Sequence, residues 1–245
     1  MPAYQYIYVM QNLTKILPGG RELFKDITLS FFPGAKIGVL GVNGAGKSTL
    51  LRIISGFLDP AKGEVRIDGY DIKNARIEAL KRIGYVQEIS ALYADMSVYD
   101  YLRFVGLLRN IDEKKLGKRI KNVVEKLELH SVLQQKNDTL SKGFKKRVEL
   151  AAVLLDTPPI LLLDEPTEGL DPNQKFTLRN IIKDYAKEHL VIISTHVLED
   201  VEILATRVLL IRNGILEFDN SLKKFKQSAK NSLLESFRNI TADRS

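Results

Sequence analysis

The chain has 245 residues, of which 44% are hydrophobic and 27% charged, with a formal net charge of +7 and no cysteine. This composition supports one sizeable folded domain, and the lack of cysteine excludes disulfides and thiolate chemistry. Its apolar runs are far shorter than the roughly 20 residues that cross a bilayer, and the N-terminus lacks a basic region followed by an apolar stretch. We therefore expect neither a membrane span nor a secretory signal.

The positive charge is concentrated in two segments. Residues 109–149 hold twelve Lys or Arg against six Asp or Glu, and residues 220–245 hold six against two. A solvated basic face is the simplest explanation. Attraction to anionic lipid, RNA or an acidic partner is the sharper alternative, and charge alone does not decide between them.

Short apolar runs alternate with amphipathic stretches, which predicts an α/β fold with a largely parallel sheet. From Ser97 to Leu155 no strand pattern occurs, and three helices are predicted, beginning near Ser97, Asp112 and Ser141. The pattern indicates one domain over residues 1–218, with a helical subdomain inserted at about 92–156, and a basic tail over 219–245. The predicted strands are Ile7–Leu13, Ile27–Phe32, Lys36–Leu40, Glu64–Ile67, Ile83–Gln87, Ile160–Asp164, Leu190–Ser194, Arg207–Ile211 and Ile215–Phe218.

The segment from Gly41 to Ser48 matches the phosphate-loop pattern G-x-x-x-x-G-K-S without a mismatch. It follows a predicted strand and opens a predicted helix from Lys47 to Ser55. Glycines let successive backbone N–H groups approach phosphate oxygens, and the helix N-terminus adds positive potential. We predict that ATP is bound by Gly41, Val42, Asn43, Gly44, Ala45, Gly46, Lys47, Ser48 and Thr49.

Each polar side chain of this loop has a predicted role. Lys47 reaches the β- and γ-phosphates, Ser48 ligates Mg²⁺, and Thr49 lies beside the α-phosphate. The alternative is a glycine-rich turn with a surface lysine, which the matching strand and helix on either side disfavour.

A carboxylate pair, Asp164 and Glu165, ends the predicted strand Ile160–Asp164. Four consecutive apolar residues suit a central parallel strand that is covered on both faces. We predict that Asp164 holds Mg²⁺ through water and that Glu165 orients the attacking water, because phosphoryl transfer needs a residue that positions the nucleophile. The alternative is a helix-capping pair before Pro166; the upstream phosphate loop favours catalysis.

With these motifs in place, the chain resembles the ATP-binding cassette (ABC) family from roughly Tyr6 to Phe218. Leu140-Ser141-Lys142-Gly143 is similar to the family signature, and Gly169-Leu170-Asp171 is similar to its D-loop. Gln87 resembles the glutamine of the Q-loop, and His196 resembles the switch histidine. Either residue alone would carry little weight, but all four features occur in the order typical of the family.

The resemblance implies a P-loop NTPase core with a mostly parallel sheet, an N-terminal antiparallel β subdomain and an inserted α-helical subdomain. It also implies two cassettes that face each other head to tail, with ATP between the phosphate loop of one and the signature of the other. Ser141, Gly143 and Asp171 would then contact nucleotide. Gln87 would ligate Mg²⁺ and link it to the helical subdomain, and His196 would sense the γ-phosphate.

Two departures from the family pattern are visible. In the signature, Lys142 replaces a glycine and Phe144 replaces the usual glutamine, which resembles a variant of exporter-type cassettes and predicts a working site with altered kinetics. Where the family stacks adenine on an aromatic residue, the best candidate is Leu17. Its apolar contact lacks stacking energy of about 1 kcal/mol, and we expect weak discrimination between ATP and GTP.

Two functions compete on this evidence. The single cassette predicts the ATPase subunit of an ABC-2-type exporter, as do the motifs Leu-Ser-Lys-Gly and Gly-Leu-Asp-Pro. We expect this subunit to act as a homodimer with separate membrane-spanning permease subunits, at the cytoplasmic face of the inner or plasma membrane. No specific nucleic acid is expected as a partner. The N-terminal segment Tyr6–Ile53 resembles ABC-F translation factors, which favours a ribosome-associated role. Chromosome-organising ATPases need coiled-coil arms for which residues 57–139 are too short.

Overall fold

A computed structural model describes residues 6–16, 20, 22–42, 44–89, 91–229 and 232–241. The N-terminal part forms an antiparallel sheet in the order β2-β1-β4-β5. Its strands are β1 (Tyr8–Ile16), β2 (Glu22–Phe31), β4 (Lys62–Ile67) and β5 (Tyr70–Asp71). The short strand β5 was not predicted, because two residues give no periodic signal.

The larger sheet has the order β10-β9-β3-β8-β7-β6, in which β10 is antiparallel to β9 and the other pairs are parallel. Its central strands β7 and β8 are buried at every position. This burial is expected for central parallel strands, because both faces of the sheet are covered. The strands are β3 (Lys36–Leu40), β6 (Ile83–Val86), β7 (Ile160–Asp164), β8 (Leu190–Ser194), β9 (Arg207–Arg212) and β10 (Ile215–Ser221).

Three helices, α3, α4 and α5, lie in sequence between β6 and β7, as predicted. Their starts are set locally, because the side chains of Ser97, Asp112 and Ser141 accept hydrogen bonds from backbone N–H groups of the first turn. The helices are α1 (Lys47–Ile54), α2 (Arg76–Leu80), α3 (Val98–Leu108), α4 (Glu113–Lys126), α5 (Lys142–Leu154), α6 (Pro172–Tyr185), α7 (Leu198–Leu204), α8 (Leu222–Gln227) and α9 (Leu233–Thr241). Two 3₁₀ turns, His130–Val132 and Asn137–Thr139, precede α5.

The hydrophobic core has three parts. One joins the inserted helices to a face of the larger sheet, and another fills the space between that sheet and the antiparallel sheet. The third lies under the C-terminal segment, where Phe225 is fully buried and Leu233 is buried beside it. Helices α8 and α9 of the basic tail therefore pack on the domain.

The predicted α/β architecture is confirmed, and it places four loops at one edge of the larger sheet. The carboxyl ends of β3, β6, β7 and β8 lead into Gly41, Gln87, Glu165 and Thr195 respectively. Parallel strands bring the residues that follow them to a common edge, which is where ligands bind in open α/β sheets. Motifs separated by more than 100 residues in the chain thus meet in space.

Candidate nucleotide-binding and catalytic site

The phosphate loop has a backbone that only glycine supports at several positions. Gly44 and Gly46 have φ values of 80° and 104°. A Cβ on Gly46 would lie 2.7 Å from Cζ of Phe24, and a Cβ on Gly41 would lie 2.5 Å from the carbonyl oxygen of Ile211. The loop therefore exposes main chain where side chains would strain or clash.

Lys47 begins α1 and is nearly buried, with 6% of its surface exposed. Its Nζ donates to the carbonyl oxygen of Gly41 at 2.8 Å and lies 4.0 Å from Oε1 of Glu165. Burial lowers the pKa of Lys47, while the charges of Glu165, Asp164 and Glu88 oppose that shift. The first turn of α1 contains no acidic residue, so the helix N-terminus keeps its positive potential for an anion.

Asp164 joins the phosphate loop to the end of β7. It is 2% exposed, and its Oδ1 accepts a hydrogen bond from Ser48 Oγ at 3.3 Å. Its Oδ2 accepts a longer bond from the Tyr85 hydroxyl at 3.4 Å. Burial and the Asp164 charge raise the pKa of Tyr85 to about 12, so this hydroxyl keeps its proton at neutral pH.

The hydroxyl of Ser48 and the carboxylate of Asp164 form a donor set that suits Mg²⁺, because this ion prefers hard oxygen ligands and retains several waters. The expectation that these two residues serve the metal is compatible with their contact. A second group, Glu165, Glu168 and His196, also brings possible ligand atoms within 4.8 Å of one another.

Glu165 is held in an unusual backbone conformation, with φ of 45°. Its N–H donates to the carbonyl oxygen of Ser194, and its side chain is buried. Its Oε2 lies 2.9 Å from Nδ1 of His196 and accepts a hydrogen bond from the backbone N–H of His196 at 3.3 Å. The histidine side chain is 45% exposed, so it places a half-exposed ring between the carboxylate and solvent.

Several of these groups line a cleft of about 400 Å³. The predicted residues Gly44, Gly46, Lys47, Ser48, Thr49, Glu165 and His196 are among its lining. Leu23, Glu88 and Glu168 also line it and were not predicted. The two acids each follow a predicted residue closely in the chain, and that proximity was the available signal.

The loop after β6 differs from the prediction. The side chain of Gln87 is exposed, and among the residues described here it is Glu88, the next residue, that lines the cleft. The main-chain oxygens of both residues face Lys146 Nζ, at 2.5 and 2.6 Å. The expected roles of Gln87, as a metal ligand and in catalysis, therefore remain a prediction that its placement does not support.

The signature segment lies beside this cleft and does not line it. Ser141 is exposed and caps α5 by accepting a hydrogen bond from the N–H of Phe144 at 3.4 Å. A Cβ on Gly143 would clash with the side chain of Gln174, so α5 begins in close contact with the first turn of α6. Asp171 caps α6 with a capping box to Gln174 and is exposed.

Two predicted nucleotide contacts, Leu17 and Asn43, lie outside the described residues. Leu23, which does line the cleft, is an apolar side chain close to Gly46, where an added Cβ would lie 3.7 Å from Leu23 Cδ1.

A buried lysine at a helix N-terminus, a hydroxyl bonded to a carboxylate and a second carboxylate paired with histidine define a phosphate-loop nucleotide hydrolase. Comparison with known proteins makes the class specific. The family model described as ABC transporter matches residues 24–168. The "Uncharacterized ABC transporter ATP-binding protein YdbJ" of Bacillus subtilis is 33% identical over 219 residues, which cover 89% of this chain and 70% of that protein.

Two solved structures extend the comparison. CbiO1 of Clostridium perfringens, described as part of the ABC transporter complex cbiONQ, is 27% identical with a TM-score of 0.82, covering 96% of this chain and 95% of its own. The ATP-binding cassette MJ0796, solved as a dimer in a post-hydrolysis state with ADP and Pi, is 25% identical with a TM-score of 0.79, covering 88% and 98%. The chain belongs to the ABC transporter family and is one of its ATP-binding subunits, which hydrolyse ATP.

Proposed function

We propose that this chain powers a separate membrane-embedded exporter by hydrolysing Mg²⁺-ATP at the interface of a homodimer. The observation that carries the proposal is the difference in burial between the catalytic groups and the signature segment. Lys47 and Glu165 are buried together at the base of the cleft, whereas Ser141 stands exposed at the start of α5. One chain thus holds the catalytic groups, and its signature faces outward.

Glu165 is the group that orients the attacking water in this proposal. Its carboxylate lies 4.0 Å from Lys47 and is oriented by the N–H and ring of His196. Magnesium, held by Ser48 and Asp164, would supply charge neutralisation at the phosphates. Lys47 would add a second positive charge at the β- and γ-phosphates.

The exposed signature supports action across a dimer. Ser141 and Gly143 open a helix of 13 residues, so their backbone N–H groups suit a phosphate presented by a second copy of the chain. Asp171 lies on the neighbouring helix end. Since the similar cassette MJ0796 was solved as a dimer, we place Ser141, Gly143 and Asp171 at a head-to-tail interface between identical chains.

The surface of the inserted segment supports the proposal of a separate membrane partner. No helix in the described residues is long and apolar enough to cross a bilayer. The segment after β6 exposes apolar side chains, with Ile89 79%, Tyr93 56% and Leu108 66% exposed. We propose that residues 88–99 and the helices after them dock on permease subunits, at the cytoplasmic face of the membrane, as CbiO1 works within a complex.

The direction of transport rests on the Ser141-Lys142-Gly143 signature, which resembles exporter-type cassettes. The N-terminal resemblance to ABC-F translation factors finds no support in the comparisons, because the relatives reported above are transporter subunits. We carry the exporter forward as the proposed function.

The test is recovery of the chain from detergent-solubilised membranes and from ribosome pellets of the cells that produce it. We expect co-purification with an integral membrane protein of about six spans. Ile89→Asp should abolish this association, while Ile215→Asp, at a 56% exposed site on the opposite edge of the larger sheet, should not. ATP-dependent uptake into vesicles that carry the purified complex with its cytoplasmic side outward would establish export. Recovery with ribosomes, or equal effects of the two variants, would contradict the proposal.

A further inference from the structure

Lys146 is a buried cation that reaches away from its own helix. It lies in α5, five residues after Ser141, and only 3% of it is exposed. Its Nζ lies 2.5 Å from the carbonyl oxygen of Gln87, 2.6 Å from that of Glu88 and 3.9 Å from Oε2 of Glu149. An ammonium has three N–H donors, and the two carbonyl oxygens accept from two of them, while the Glu149 carboxylate lies at ion-pair distance.

The two carbonyl oxygens belong to successive residues, which constrains the loop strongly. In an extended strand, successive carbonyls point in opposite directions. Their convergence on one ammonium shows that the chain has left strand geometry directly after Val86, the last residue of β6. Charge-assisted hydrogen bonds in a buried site are the strong ones, so this turn is fixed by Lys146.

The fixed turn decides which side chain faces the nucleotide cleft. Glu88 lines the cleft together with Ser48 and Thr49, while the side chain of Gln87 points to solvent. Lys146 also differs from its neighbour Lys145, which is close to the surface and donates to the carbonyl oxygen of Asp138 at 3.1 Å. Its contacts therefore reflect a specific position and not general basic charge.

We propose that Lys146 is a positioning residue for ATP hydrolysis: its ammonium holds the loop after β6 so that Glu88 faces the phosphates, and it ties that loop to the helix that begins at Ser141. Glu88 and Ser48, the hydrogen-bond partner of Asp164, both line this cleft. The Glu88 carboxylate can hold water or a divalent cation there. The proposal concerns the ATPase activity of the chain itself and does not depend on the identity of any membrane partner.

The test uses the lack of cysteine in this chain, which allows a single label. A nitroxide on Ile89→Cys reports the mobility of the loop by electron paramagnetic resonance. Lys146→Met keeps the length of the side chain and removes every donor, Lys146→Gln keeps two donors, and Lys145→Met is the matched control. We expect Lys146→Met to make the label mobile and lower kcat about tenfold, because two partly buried carbonyl oxygens lose their donor.

The remaining outcomes separate positioning from general support of the fold. Lys146→Gln should recover part of the immobilised spectrum and part of kcat, and Lys145→Met should match the parent. In a Glu88→Ala background, Lys146→Met should cause little further loss of kcat, since the side chain that Lys146 positions is gone. The Mg²⁺ concentration for half-maximal activity should rise equally in the single variants Lys146→Met and Glu88→Ala. An unchanged label spectrum in Lys146→Met, or fully additive losses with Glu88→Ala, would overturn the proposal. If Lys146→Met lowers the melting temperature markedly, the same comparisons are made with Lys146→Gln.

Discussion

His196 contacts Glu165 twice: its backbone N–H and its ring Nδ1 both lie close to Oε2, at 3.3 and 2.9 Å. One carboxylate oxygen is thereby oriented by the loop that follows β8, while the other faces Lys47. The carboxylate that we propose as the water-orienting group is thus fixed from two sides, which is the geometry that a positioned base requires.

Replacement of this carboxylate should separate ATP binding from hydrolysis. Glu165→Gln keeps the shape of the side chain and removes its charge, so we expect ATP binding to persist and kcat to fall by about 10²–10⁴-fold. The slowed variant should accumulate as an ATP-bound dimer in size-exclusion chromatography. Glu188→Gln, at an exposed carboxylate that does not line the cleft, is the matched control and should retain most activity. Parental turnover in Glu165→Gln would remove Glu165 from the catalytic role.

The head-to-tail arrangement makes a prediction about mixed dimers. A dimer with Ser141→Ala and Lys47→Ala on the same subunit keeps neither site intact, because each site takes one residue from each chain. A dimer with the two substitutions on different subunits concentrates both defects in one site and keeps the other. We expect about half of parental activity from the second pairing and nearly none from the first. Equal ATPase rates for the two pairings would exclude action across the interface.

Arg179 should be important for the stability of the fold. It is 7% exposed, and its Nε donates to Oδ1 of the fully buried Asp200 at 2.7 Å; Asp200 also accepts from the Thr167 hydroxyl. Arg179→Met leaves a buried charge without its partner and should cost about 3–5 kcal/mol in urea unfolding. Arg119→Met removes a half-exposed pair with Asp156 and should cost less than about 1 kcal/mol. Equal costs would contradict the role of burial.

Two glycines of the inserted helices should respond to alanine in opposite directions. Gly117 lies in α4, is exposed, and has no atom within 4 Å of an added Cβ. Gly117→Ala should therefore stabilise the protein by about 0.5–1 kcal/mol. Gly106 in α3 packs against Leu116, so Gly106→Ala should destabilise it by about 1–3 kcal/mol. Thermal and urea unfolding of both variants provides the comparison.

Tyr85 should contribute to alkaline unfolding. Burial and the charge of Asp164 raise the pKa of Tyr85 from 10.0 to about 12 in the folded chain. Between pH 10 and about 12 the unfolded chain has lost this proton and the folded chain has kept it, so the free energy of unfolding falls as pH rises through that window. Tyr85→Phe should flatten this part of the stability profile and leave neutral pH nearly unchanged. In a pH titration of phenolate absorbance, folded Tyr85→Phe should show one fewer tyrosine that titrates above pH 10.

Local features of the fold were predictable because their causes lie within a few residues. Ser97, Asp112 and Ser141 cap the three inserted helices, and each was recognisable from its residue type before an amphipathic run. Helix α4 ends at Lys126, and the nearby Glu128 adopts a φ of 54° that helical periodicity does not reveal.

Features of the site that depend on distant residues were harder to predict. Whether Gln87 or Glu88 faces the cleft depends on Lys146, which is 59 residues away along the chain. The contact of His196 with Glu165 spans 31 residues and two strands. The motifs located both loops, but the orientation of each side chain follows from packing that only the folded structure contains.

The C-terminal end of α5 is in close contact with β6. Gly84 has no side chain, and an added Cβ would clash with Val153 and lie 2.7 Å from Pro158, so the C-terminal end of α5 is pressed against the strand. Thirteen residues of helix span about 20 Å, and the far end begins at Ser141 beside the cleft. Because the contact with the strand is at the C-terminal end of α5, any change in the tilt of the helix about Gly84 would displace Ser141 more than the residues closer to that contact.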